Sequence, residues 1–213
     1  LKENTAHSCW KDIVDILNWA EKRGIRMPRF RGRRKYGTPS LKFDGANSII
    51  VLNLVGYLQR TREIKAVLFI RDLDNQPARR AAIEQARTER STAQNSLKIV
   101  IGTADKMREA WVLNGCFPSN REEIRRLAEL KDRLTFDPCE ESHRLRSNSK
   151  EEPSRIRNPK FVVEMLTNGD MERERQCWEE TSLENLRTRG IHTGLTAYID
   201  EIESFLITLI GAE

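Results

Sequence analysis

The amino-acid sequence predicts an α/β fold: a mostly parallel sheet flanked by helices, with a helical C-terminal extension. Three observations carry this. Ala66-Val67-Leu68-Phe69-Ile70 and Leu97–Gly102 are short continuous apolar runs, the pattern of strands buried on both faces of a parallel sheet. Helical patterns alternate with them, as crossover connections require. From residue 118 onward the chain turns charged and helical.

The elements follow in order. Trp10, Ile13, Val14, Leu17 and Ala20 form a helical stripe over Ser8–Lys22, with Gly24 as a stop signal. Leu41–Phe43 reads as a short strand ending at Asp44-Gly45. Ile49–Arg60 reads as a helix with Leu52, Val55 and Leu58 on one side. After the first apolar run, Pro77 is placed to open a helix reaching about Arg90. Glu109–Leu113 begins another segment after the second run. Asn120–Asp132 is a charged amphipathic helix with Ile124, Leu127 and Leu130 on one face. Prolines, serines and charges mark about 137–159 as a flexible insertion. Phe161–Leu166, Leu183–Arg187 and Leu195–Ile210 resume apolar periodicity. The expected division is a core over residues 1–117 and a mainly helical extension over 118–213.

Composition narrows the class. A chain of 213 residues can bury a core without disulfide or metal staples, and 38% hydrophobic against 32% charged residues is too apolar for disorder. No apolar run reaches the roughly 18 residues that span a bilayer, so a cytoplasmic protein without a membrane partner is expected. Cys9, Cys116, Cys139 and Cys177, like His7, His143 and His192, are scattered, which argues against zinc and fits free thiols in a reducing compartment. The net charge is +5 and the pI about 9.1. Its distribution says more than its sum. Arg26, Arg29, Arg31, Arg33, Arg34 and Lys35 are interleaved with Phe30 and Tyr36 in a stretch punctuated by Gly24, Pro28, Gly32 and Gly37. Such a loop suits phosphate contact and base stacking, and Arg29, Arg31, Arg33, Arg34 and Lys35 are the expected nucleic-acid contacts. The plain alternative is a solvated loop.

The chemistry-bearing motif is Asp72-Leu73-Asp74, directly after the first apolar run. Ligand sites in open α/β sheets lie outside the carboxyl ends of the strands. In extended backbone, residues i and i+2 point the same way, so both carboxylates are expected to face one small volume. Two close carboxylates repel unless a proton or a cation intervenes, and a hard ion such as Mg²⁺ or Mn²⁺ prefers oxygen ligands. The competing reading is an N-cap for the helix after Pro77.

Ala66–Asp74 (AVLFIRDLD) resembles the DxD strand of the TOPRIM fold, which topoisomerases, bacterial primases, small maturation ribonucleases and overcoming-lysogenization-defect (OLD) type nucleases share. The resemblance implies a Glu at the end of a first strand, and Glu3 takes that position. Asn4 stands where the family has Gly, Ala6 where it has Asp, and Asn75-Gln76-Pro77 replaces the usual DxDxxG ending. Arg108–Leu113 (REAWVL) is similar to the EAW segment of a TOPRIM-like family from bacterial defence neighbourhoods, and Asn158-Pro159-Lys160 to its later PK stretch. By that analogy Glu109 is a further metal ligand or base, and Lys160 offsets charge on the scissile phosphate. The bland readings are a helix-surface carboxylate and a solvated lysine. Trp111 reads as core, and Asp44 and Asp105 as undistinguished loop acids.

The resemblance implies a Mg²⁺- or Mn²⁺-dependent nuclease, on DNA ahead of RNA, with Glu3, Asp72 and Asp74 as metal ligands and Glu109 and Lys160 assisting. It also implies the effector subunit of an anti-phage defence system. No GxxxxGK[ST] loop is present, so any ATP would be bound by a partner ATPase. A homo-oligomer is compatible. The first alternative is a TOPRIM-like scaffold that binds nucleic acid or a protein without catalysis. A second, a receiver-like phosphoacceptor, lacks the separate acidic pair that such proteins use.

Overall fold

The computed structural model describes residues 13–25, 44–91 and 97–207. Glu3, the basic loop and the strand expected at Leu41–Phe43 lie outside them. The elements are α1 (Ile13–Lys22), α2 (Asp44–Leu58), β1 (Ala66–Asp72), α3 (Ala78–Ser91), β2 (Lys98–Ala104), α4 (Glu109–Gly115), α5 (Arg121–Leu134), α6 (Pro159–Thr167), α7 (Met171–Glu179), α8 (Leu183–Arg189) and α9 (Leu195–Ile202). Among the described residues the chain is mixed α/β, mostly helical, with one two-stranded parallel sheet. The register shows the direction. The Lys98 amide donates to Lys65 O and the Leu73 amide to Ala104 O, both at 2.9 Å, so the pairing advances along both strands together.

The chain forms two compact units, Leu1–Val67 with Ala78–Ile99 and Leu68–Pro77 with Val100–Glu213. In the first unit α2 packs on α3, with Ile49 and Leu52 buried on one helix and Ile83 and Ala86 on the other. Asp44-Gly45, expected to end a strand, is instead the first turn of α2. An acidic side chain is favoured beside the unpaired amides of a helix start. Here the Asp44 carbonyl also accepts the Ser48 hydroxyl at 2.7 Å, and its carboxylate lies 3.6 Å from Arg79 Nε. Helix α3 opens directly after Pro77, as expected.

In the second unit the largest core joins Val112 and Leu113 of α4, Leu127, Leu130 and Leu134 of α5, Val162, Val163 and Leu166 of α6, and Cys177 of α7. Residues 137–159, read from composition as a flexible insertion, contribute Cys139, Leu145 and Ile156 to it. On α5 the expected apolar face shifts. Leu127 and Leu130 are buried, but Ile124 is 58% exposed. At 3.6 residues per turn Ile124 lies about 90° around the helix from the middle of the leucine stripe. Glu123 takes the inward position and meets Arg173 of α7 through Nε–Oε1 at 2.9 Å. Helix α7 has no counterpart in the expected elements, and the helix expected to reach Ile210 is regular only to Ile202, followed by a π-helical turn over Glu203–Ile207.

Strand β1 departs from expectation as well. Phe69 is buried, but Leu68 and Ile70, on the opposite face, are 45% and 42% exposed. A continuous apolar run does not reveal which face a small sheet leaves uncovered. Strand β2 is the buried one. Its Lys98 amide points toward β1, so by alternation the odd-numbered amides point away. The Ile101 amide donates to Glu201 Oε2 at 2.8 Å and the Asp105 amide to Thr193 O at 2.9 Å. The segment around α9 thus covers that edge. Trp111, 1% exposed, stacks on Tyr198 at 5.4 Å and donates Nε1–H to Thr193 O at 2.7 Å, so it is core. Gly102 is required there, because a Cβ would stand 2.6 Å from the Tyr198 ring.

Candidate functional site

Strand β1 ends at Asp72, but its pairing with the second strand continues. The Leu73 amide donates to Ala104 O at 2.9 Å and the Asp74 amide to Lys106 O at 3.1 Å. The Gln76 amide then donates to Leu73 O at 2.8 Å, closing a turn whose central residues, Asp74 and Asn75, have φ of 49° and 63°. Two successive positive φ values define a type I′ turn, and Asp and Asn are among the few residues besides glycine that tolerate them. The extended alternation expected to aim both carboxylates the same way therefore stops at Asp72. Asp74 is presented by a left-handed turn instead.

Asp72 Oδ1 accepts the Arg108 amide at 2.8 Å. This bond ties the end of β1 to the residue that precedes α4 and is not the cap expected for the helix after Pro77. The connection from β2 to α4 supplies Asp105, Lys106 and Arg108. Arg146 reaches this region from residues 137–159. One guanidinium nitrogen donates to Asp105 Oδ2 at 2.5 Å and another to Asn75 Oδ1 at 2.6 Å, so Arg146 ties the two strand ends together. Lys106 is 3% exposed. Among the described residues no hydrogen bond or ion pair engages its ammonium.

Glu109 and Lys160, far apart in sequence, come together with Nζ 3.8 Å from Oε1. The other oxygen, Glu109 Oε2, is sealed from solvent and has no hydrogen-bond partner among the described residues. Lys160 is held at the start of α6, where Asn158 caps the Lys160 amide at 3.0 Å. His143 and His192 face each other with ring centroids 4.9 Å apart. Burial first, and then the neighbouring His192, hold His143 below its ordinary 6.5.

Among the described residues the scattered cysteines also meet. Cys116, Cys139 and Cys177 lie in one core. The hydrogen bond with Cys139, together with burial, pushes the Cys116 thiol up to about 12, and the hydrogen bond with Cys116 pushes Cys177 up as well. Thiols raised in this way are poor nucleophiles and ligands. They fill space.

For a divalent metal the donor chemistry is suitable, since Asp72 and Asp74 offer hard oxygens. The set is incomplete. Among the described residues no group of three or more His, Cys, Asp or Glu side chains could hold a metal ion. Glu3, the third expected ligand, and Arg29, Arg31, Arg33, Arg34 and Lys35, the expected nucleic-acid contacts, lie outside the described residues. Asp105, Lys106 and Arg146 were not distinguishable by motif. No family model, curated protein or solved structure matches the chain. Among the described residues no helix is long and apolar enough to cross a membrane.

Proposed function

We propose that the chain is a TOPRIM-like nuclease that cleaves nucleic-acid phosphodiester bonds, DNA ahead of RNA, at the carboxyl ends of β1 and β2. One observation carries this reading: Asp72 and Asp74 stand at a parallel strand end, where α/β sheets place ligands, among Lys106, Arg108 and Arg146. Mixed charge of this kind suits a substrate that is itself a polyanion. Asp72 and Asp74, with Glu3, are the residues that would hold Mg²⁺ or Mn²⁺; the chemistry such an ion supplies is Lewis acidity toward a phosphate oxygen. The chain's own cations hold and orient the phosphate, and the basic loop tracks the backbone with little sequence preference. In this reading the protein is a defence-system effector that works with a separate ATPase.

Plasmid nicking with Mn²⁺, compared between the wild type and Asp72→Asn plus Asp74→Asn, tests the proposal. Loss of nicking in the double variant supports it; equal rates in both proteins defeat it. A second reading is a scaffold of the same fold that binds without cutting. The departure from the family's DxDxxG ending at Asn75-Gln76-Pro77 favours it. Calorimetric titration separates the two, because a scaffold shows no Mn²⁺ binding that depends on Asp72 and Asp74.

A further inference from the structure

We propose that Lys106 is an anion-binding residue of this site, contacting a backbone phosphate of the bound nucleic acid. The inference deepens the function proposed above and rests on it. Lysine is among the residues least often buried, and when buried it is usually paired. Lys106 is 3% exposed, yet among the described residues its ammonium makes no hydrogen bond or ion pair. This holds although Asp72, Asp74, Asp105 and Glu109 belong to the same two strand ends and their connections. Asp105 is committed to Arg146 and Glu109 faces Lys160. The side chain is packed, so its conformational freedom is already spent.

The backbone fixes this position further. Lys106 O accepts the Asp74 amide at 3.1 Å, so the lysine and the left-handed turn bearing Asp74 are locked in register. Met107 behind it is buried, and Arg108 is tied to Asp72 at 2.8 Å. A pre-positioned cation on a rigid strand end, beside carboxylates that it does not neutralise, is suited to an anion brought from outside. A phosphodiester is the anion that the proposed substrate offers. Lysine binds phosphate as a point charge, which tolerates the varied approach of a flexible strand.

The test uses the full chain and a fluorescein-labelled double-stranded oligonucleotide at several salt concentrations, beside the plasmid-nicking assay. Lys106→Met keeps the buried stem and removes the charge, and Lys106→Arg keeps the charge; circular dichroism and thermal melting confirm that each is folded. The expected result for Lys106→Met is binding weakened about tenfold, with the slope of log affinity against log salt reduced by about one. Lys106→Arg should retain most of the affinity. Should Lys106→Met fail to fold, wild-type protein labelled with [¹³Cε]lysine provides the readout, with Lys106→Arg identifying the signal, which should shift as oligonucleotide is added. Wild-type affinity and salt slope in folded Lys106→Met, or an unmoved Lys106 signal at saturation, overturns the inference even while nicking persists. Lys106-dependent binding without any nicking supports the inference and defeats the cleavage proposal. Neither binding nor nicking overturns both.

Discussion

The Asp72 carboxylate accepts the backbone amide of Arg108 at 2.8 Å, which makes the end of β1 and the start of α4 one hydrogen-bonded unit. The residue best placed for chemistry therefore also holds this connection, and the two roles separate by substitution. Asp72→Asn keeps an oxygen for the Arg108 amide, whereas Asp72→Ala removes it at a cost of about 1 kcal/mol. If the proposed function holds, both variants lose cleavage by about a hundredfold or more. Only the alanine variant should melt earlier. Paired nicking and thermal-unfolding measurements check both halves.

Arg146 joins Asp105 and Asn75, and all of these groups are partly exposed. Arg146→Met should cost only about 1 kcal/mol globally, because exposed ion pairs contribute little. Its effect should be local. Amide hydrogen exchange is expected to quicken over 74–76 and 142–148 and to stay unchanged in α5. Uniform protection in the variant would show that Arg146 does not restrain the strand ends.

Two glycines with positive φ give a controlled contrast. At Gly194, φ is +83° and a Cβ would stand 2.2 Å from Thr103 O, whereas at Gly169, φ is +71° and nothing lies within 4 Å. Gly169→Ala should cost about 1 kcal/mol for the left-handed backbone alone. Gly194→Ala should cost more than about 3 kcal/mol, since backbone must move. Urea unfolding of the two variants measures the difference.

Glu123 and Arg173 form a buried pair with Nε–Oε1 at 2.9 Å and a second contact at 3.1 Å. Burial alone would raise the Glu123 carboxyl, but the hydrogen bonds from Arg173 and the Ser119 amide outweigh it and hold the group below its ordinary 4.5. A depressed carboxyl stabilises the fold above its unfolded value. That contribution is full above about pH 4.5 and drains away as the pH falls through the lower folded value. Glu123→Gln should lose about 3–5 kcal/mol at pH 7, because Arg173 is left buried with its charge uncompensated. Its unfolding midpoint should also vary less than the wild type's between pH 5 and about pH 3. Urea midpoints across that range provide the check.

The sequence made some of this readable and hid the rest for physical reasons. The runs at 66–70 and 97–102 announce strands because β-branched and apolar residues crowd there, and Pro77 announces α3 because proline needs no amide partner in the first turn. Exposure of Leu68 and Ile70 was hidden because hydrophobicity records a residue's preference and not its neighbour. Helix α7 escaped because MERERQCWE buries an arginine, which apolar periodicity does not register. At the site, Asp72 and Asp74 were visible as two acids with one residue between them. The bridge from Arg146 to Asp105 and Asn75, 41 and 71 residues away, was not, because spacing carries no information about which distant loop returns to a strand end.

The partner of the Ile101 amide arrives 100 residues later, at Glu201. During synthesis, a ribosome that has released β2 must still make α4 through α9 before that backbone donor is answered. At typical rates of about 5–20 residues per second the wait is several seconds or more. For that interval the nascent chain carries an open β-ribbon flank, the feature that chaperones and aggregates both recognise. Fusions or truncations that disturb residues 193–201 should reduce yield in cells before they alter any chemistry.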